Sequence, residues 1–255
     1  MVDFAQLAVL AAITGGTPII IALLPASRRQ LGERATHLML GLSAGILLGI
    51  SLVDIFPEAF EASVSAKVSP HLVSLGAAGG FFALLLIERV LIARGEAGSV
   101  HFENGRRIQP FGTLAMSALT VHGLLDGFVI PLGFAVSSQL GTVVAFAVAI
   151  HQIPDSFAAA SVGLASNAGR KRVFAYVFVT AADTPIGILL GAIFTGVAAN
   201  LIVVGLAFSA GTFIFVSAAD LIPELQHRSR SSLVVGSILL GFAIVAALTI
   251  GLPPS

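Results

Sequence analysis

Residues 121–127 read V-H-G-L-L-D-G and residues 150–156 read I-H-Q-I-P-D-S. Each stretch sets an imidazole four positions before a carboxylate, His122 with Asp126 and His151 with Asp155, inside a long apolar run. On a helix, positions i and i+4 share a face, so the members of each pair point the same way. Ionisable groups in the middle of lipid-crossing segments are costly and mark an ion or substrate path. Whether these runs cross a membrane therefore decides the fold.

Composition answers that they do. Hydrophobic residues make up 56% of the 255-residue chain and charged residues 10%, with a mean hydropathy of +1.01. Soluble domains carry about 25% charged residues, so this chain lacks the polar surface a water-soluble fold needs. The net charge of +0 offers nothing to nucleic acid, and the absence of Cys excludes disulfides and thiolate ligands. The first apolar run has no basic leader and is followed by many similar runs, so it reads as a mature helix, not a signal peptide.

Eight segments are long enough to span roughly 30 Å of hydrocarbon: 4–24, 37–60, 71–93, 111–136, 139–166, 173–197, 201–222 and 232–252. The expectation is an all-α, polytopic membrane protein with one transmembrane domain over 1–255. Residues 94–110, polar and holding Gly95, Gly98 and Gly105, read as a mobile cytoplasmic loop between helices 3 and 4. All of the 13 Lys and Arg residues except Lys67 fall in or beside the odd-numbered loops, among them Arg28, Arg94, Lys171 and Arg228. The positive-inside rule then puts those loops in the cytoplasm and both termini outside.

An internal repeat fits this topology. Ser43-Ala44-Gly45 is followed at fixed spacing by Ser51 and by D-I-F-P-E, Asp54 to Glu58. Ser209-Ala210-Gly211 is followed at the same spacing by Ser217 and by D-L-I-P-E, Asp220 to Glu224. The two copies lie on helices 2 and 7, which run in opposite directions, as do the helices bearing His122 and His151. The pattern is three helices, a central pair and three helices with the halves inverted, an arrangement found in secondary transporters around a mid-membrane site.

Two imidazoles and two carboxylates form a four-ligand set for a divalent transition metal. Nitrogen and carboxylate donors suit Zn, Fe or Mn, and two carboxylates neutralise a 2+ ion in a low dielectric. The bland rival is interhelical hydrogen bonding that packs the bundle. Pro154 frees the carbonyl of Ile150 near the site, and Gln152 adjoins the ligands. Asp183, deep in helix 6 and two residues before Pro185, supports the site or relays a proton. Asp54 with Glu58 and Asp220 with Glu224 are either cation mouths or ordinary interfacial carboxylates.

Taken together, these motifs resemble those of the ZIP family of divalent-metal transporters, over nearly the whole chain. The family's helix-4 motif H-N-x-P-E-G corresponds to His122 through Gly127, and its helix-5 motif to His151 through Ser156. The stretches ending at Glu58 and Glu224 are similar to the family as well. The resemblance implies that His122, Asp126, His151 and Asp155 are the transport-site ligands. It also implies an elevator-type carrier in which one helix group moves against another, and delivery of Zn2+, Fe2+, Mn2+ or Cd2+ toward the cytoplasm. Some members hold a second ion on Asn, Asp and Glu at positions occupied here by Gly123, Gln152 and Thr184. One metal site is expected for that reason, with Asp183 facing about 100° away from Thr184. The expected location is a prokaryotic inner membrane, with a homodimer as one admissible assembly and no organic cofactor.

No Gly-rich, Lys-bearing phosphate loop is present to couple ATP, and no H-E-x-x-H motif to support a metal hydrolase. The protein is not expected to be an enzyme. The alternatives kept open are a proton-coupled carrier of another solute and a metal receptor without turnover.

Overall fold

A computed structural model describes residues 4–26, 33–93, 101–103, 106–108, 111–136, 138–165, 170–194, 199–228 and 231–251. Its helices are α1 (Phe4–Ala26), α2 (Glu33–Gly49), α3 (Phe56–Ser65), α4 (Pro70–Ala93), α5 (Phe111–Val136), α6 (Ser138–Ala165), α7 (Arg170–Ile193), α8 (Ala199–Ile214), α9 (Ile222–Arg228) and α10 (Ser232–Gly251). Among the described residues, six helical runs are long and apolar enough to cross a membrane: Arg34–Ser65, Pro70–Val90, Ala115–Ala135, Val173–Ile193, Asn200–His227 and Ser232–Ile250. Ala5–Ile20 is a shorter apolar helix. Only 17% of the most apolar window of the last run is buried inside the protein, so most of that helix presents aliphatic surface outward. Such a surface is stable against lipid and not against water.

Two of these runs are longer than the sequence suggests. The α2–α3 helix passes through a π segment, Ile50–Ile55, and the α8–α9 helix through another, Phe215–Leu221. Each π segment immediately precedes a helix whose second residue is proline, Pro57 or Pro223. A proline has no N–H to donate to the preceding turn and its ring crowds it. Widening that turn to i→i+5 bonding accommodates the ring without ending the helix. The α3 helix ends where Lys67 turns left-handed at φ 55°. There the Val68 N–H donates to the Ser63 carbonyl at 2.8 Å and the Lys67 N–H to Val64 at 3.1 Å, a Schellman closure.

Two short extended segments are described within 94–110. Strands β1 (His101–Glu103) and β2 (Arg106–Ile108) pair antiparallel, with Phe102 opposite Arg107 and Glu103 opposite Arg106. His101 to Glu103 alternates polar and apolar residues, and Asn-Gly is a sequence favoured in hairpins, a short-range signal that competes with the loop reading.

Packing is built on glycine. Helix α2 crosses α10 so closely that a Cβ at Gly45 would stand 2.8 Å from the Ile238 carbonyl carbon and 2.9 Å from the Phe242 nitrogen. Helix α8 crosses α4 in the same way: a Cβ at Gly211 would stand 2.7 Å from the Ala77 carbonyl carbon and 2.9 Å from the Phe81 nitrogen. The reciprocal contacts match too, with Gly241 against the Leu42 carbonyl and Gly80 against the Phe208 carbonyl. Leu42 and Phe208 each precede one S-A-G motif, so the two motif copies make equivalent seams, each between helices that run in parallel. Apolar packing divides into a large cluster that includes Leu47, Ile50, Phe213, Phe215 and Leu225, and a smaller one of Leu7, Ile130, Ala145, Val148 and Ile188. The smaller cluster joins α1, α5, α6 and α7.

Candidate metal centre

The polar centre is positioned by α5, α6 and α7. The α5 and α7 helices approach through Gly127, which abuts the Thr184 carbonyl, and Gly187, which abuts the Leu124 carbonyl. Small residues of this kind let backbones meet where lipid supplies no hydrophobic drive. This contact fixes the depth at which α5 presents His122 and Asp126.

His122 is 2% exposed, Asp126 5% and Asp155 8%. His122 Nε2 lies 3.1 Å from Asp126 Oδ2 and 3.6 Å from Asp155 Oδ2. One ligand atom from each of the three residues falls within 4.8 Å of the others, a spacing that a single ion can bridge. Two carboxylates meeting in a buried, low-dielectric space repel each other, and a divalent cation is the simplest species that neutralises both. The fourth named ligand, His151, lies on α6 four residues before Asp155, and its side chain is outside the described residues, as is that of Pro154.

Beside this trio is a cavity of about 10 Å3 lined by Gly123, Gln152, Asp155, Ser156, Thr180 and Asp183. Its size is that of one water or ion. Asp183 borders the same cavity as Asp155 and Gln152. A Cβ on residue 123 would stand 2.5 Å from the Asp183 carboxyl carbon, so the carboxylate occupies the space that Gly123 leaves open. Thr184, the next residue of α7, is not part of that lining but bonds to two residues that are, Asp183 and Gln152. The Thr184 N–H donates to Asp183 Oδ1 at 2.6 Å and its hydroxyl at 3.2 Å. Gln152 Nε2 donates to Thr184 Oγ1 at 2.5 Å, tying α6 to α7, and Ser156 Oγ donates to the Gln152 carbonyl at 2.5 Å.

Two residues on α8 escape the sequence reading as site residues. Ser209 Oγ lies 3.2 Å from His122 Nδ1, and the Phe213 ring meets the imidazole edge-on with centroids 4.8 Å apart. The available signal was the S-A-G motif itself, legible as a repeat mark but not as a contact. The outer carboxylates Asp54, Glu58, Asp220 and Glu224 are half-buried beside the π segments and do not join the His122 group. Asp220 lies within electrostatic reach of Glu88 and Glu224.

The fold and site thus define a polytopic α-helical membrane protein with a buried group of one imidazole and two carboxylates. The chain belongs to the ZIP zinc transporter family, whose model matches residues 95–249. It is 26% identical over 244 residues to the zinc transporter ZupT of Corynebacterium aurimucosum, covering 92% of each chain. It is 23% identical over 248 residues to the zinc transporter ZupT of Streptococcus mutans, covering 93% of this chain and 94% of that one. Similarity extends to a eukaryote: the zinc transporter YKE4 of Saccharomyces cerevisiae is 24% identical over 266 residues, covering 89% of this chain and 75% of the relative.

Proposed function

We propose that this protein carries Zn2+, or a divalent ion of similar ligand preference such as Fe2+, Mn2+ or Cd2+, across a bacterial inner membrane toward the cytoplasm. His122, Asp126, His151 and Asp155 hold the ion in transit. The observation that carries the reading is the convergence of His122, Asp126 and Asp155 inside a membrane-type bundle. Asp183 and Gln152 line the adjoining space and steady the ion's surroundings. Asp54 with Glu58, and Asp220 with Glu224, attract cations at the two mouths.

The arrangement proposed is eight crossings, three plus two plus three, with both termini outside and residues 94–110 in the cytoplasm. The Lys and Arg distribution supports the orientation, and the matching Gly45 and Gly211 seams support the repeat. Movement of α1, α5, α6 and α7 against the remaining helices would expose the ion to each side in turn. The reading assigns no enzymatic step. The partners are the ion and the bilayer, with a homodimer as the assembly to test.

Proteoliposomes loaded with a Zn2+-reporting dye test this directly. Saturable uptake by the wild type, reduced to the protein-free background in both His122→Ala and Asp155→Ala, is the expected result. A folded, inserted wild type that binds Zn2+ but moves none would indicate a receptor. Uptake of another solute without metal binding would indicate the proton-coupled alternative.

A further inference from the structure

We infer that Ser209 is a positioning residue for the metal ligand His122: it accepts the Nδ1–H of the imidazole, holds Nε2 toward Asp126 and Asp155, and so makes ion affinity depend on α8. This rests on the metal reading proposed above and adds to it a residue from outside the α5–α6–α7 group.

The geometry separates the two ring nitrogens. Nε2 faces the carboxylates at 3.1 and 3.6 Å, while Nδ1 faces Ser209 Oγ at 3.2 Å. A neutral imidazole has one N–H and one lone pair, and a metal takes the lone pair. A ligand at Nε2 therefore needs its proton on Nδ1, and that proton needs an acceptor. Ser209, fully buried, supplies it. Phe213, one turn further along α8, closes on the imidazole edge-on, so a single helix face restrains the ring by hydrogen bond and by packing.

The serine's behaviour departs from the helical default. Serines within helices ordinarily bond back to their own carbonyls. Ser43, the counterpart of Ser209 in the other motif copy, does so, with its Oγ donating to the Met39 carbonyl at 2.9 Å. Ser217 does the same toward Phe213 at 2.7 Å. Ser209 reaches across to another helix and to a ligand. Because Ser209 stands on α8 and the carboxylates on α5 and α6, displacement of α8 from α5 removes the proton acceptor and loosens the ion.

The test uses full-length protein in nanodiscs and in proteoliposomes. Zn2+ titration against a competing chelator should give a Kd about 10-fold weaker in Ser209→Ala, with Ser43→Ala unchanged. The KM for uptake should rise by about the same factor while kcat is retained, as for lost ligand binding. Nitrogen-15 NMR of His-labelled wild type, with His122 assigned by its loss in His122→Ala, should show the Zn2+-loaded ring protonated at Nδ1. This last measurement reads the wild-type ring itself and needs no Ser209 variant to fold. An unchanged Kd in a folded Ser209→Ala protein, or a Zn2+-loaded ring protonated at Nε2, overturns the inference. If wild-type binding is lost in Asp126→Ala but intact in Ser209→Ala, only the Ser209 assignment falls. If the wild type binds no Zn2+, the metal reading falls with it.

Discussion

The α2–α3 and α8–α9 helices carry the same motif at the same spacing, and they use its glycines alike and its serines differently. Gly45 and Gly211 meet a partner backbone at nearly equal distances. The serines split: Ser51 donates across to the Ala210 carbonyl at 2.8 Å while Ser43 bonds within its own helix. In the other copy it is Ser209 that reaches across, to His122, while Ser217 stays within its own helix. Backbone seams that depend on a missing side chain have one solution, so both copies keep it. Hydroxyls have several acceptors within reach, so their bonding follows the particular surroundings of each copy. The glycines therefore set the frame, and the serines register which helix group each half faces.

That contrast can be broken at the seams. Gly45→Ala and Gly211→Ala should each destabilise the protein by about 1–3 kcal/mol, and to a similar extent, because the added methyl meets backbone that cannot rotate away. Apparent Tm in nanodiscs measures both; a loss in one copy alone would mean the seams are not equivalent. Ser51→Ala should cost about 1 kcal/mol through its lost interhelical bond, and Ser217→Ala markedly less. Denaturation in mixed micelles would sharpen the contrast if the two differ in this order and erase it if they match. The smallest effect falls on Ser43→Ala, expected within about 0.5 kcal/mol of wild type in stability and without change in Zn2+ uptake.

Much of this frame is legible in the sequence. Apolar runs of membrane length, interrupted by few charges, leave little choice but helices, and the i, i+4 spacing of His122 and Asp126 aims both inward. The helix ends were less legible, since Pro57 and Pro223 look like stops until π turns are allowed for. The hairpin at 101–108 was outweighed by the polar composition around it. Helical angle describes one helix in isolation and is silent on what Asp183 packs against. Only the packed pair α5–α7 reveals that Gly123 vacates the space the carboxylate fills. Ser209 was invisible for the same reason, since a cross-helix hydrogen bond has no spacing in one dimension.

The unequal lengths of the seamed helices have a consequence for the bilayer. Arg34–Ser65 has 32 residues and α10 has 20, or roughly 48 Å against 30 Å of rise. Leu42 meets Gly241 near the middle of α10, so Asp54 arrives roughly 18 Å further along, just past the half-thickness of a typical hydrocarbon layer. Asp220 stands at the same offset from Phe208, which meets Gly80 near the middle of α4. A thicker membrane draws both carboxylates toward hydrocarbon and a thinner one leaves them among headgroups, so lipid chain length sets the polarity of their surroundings.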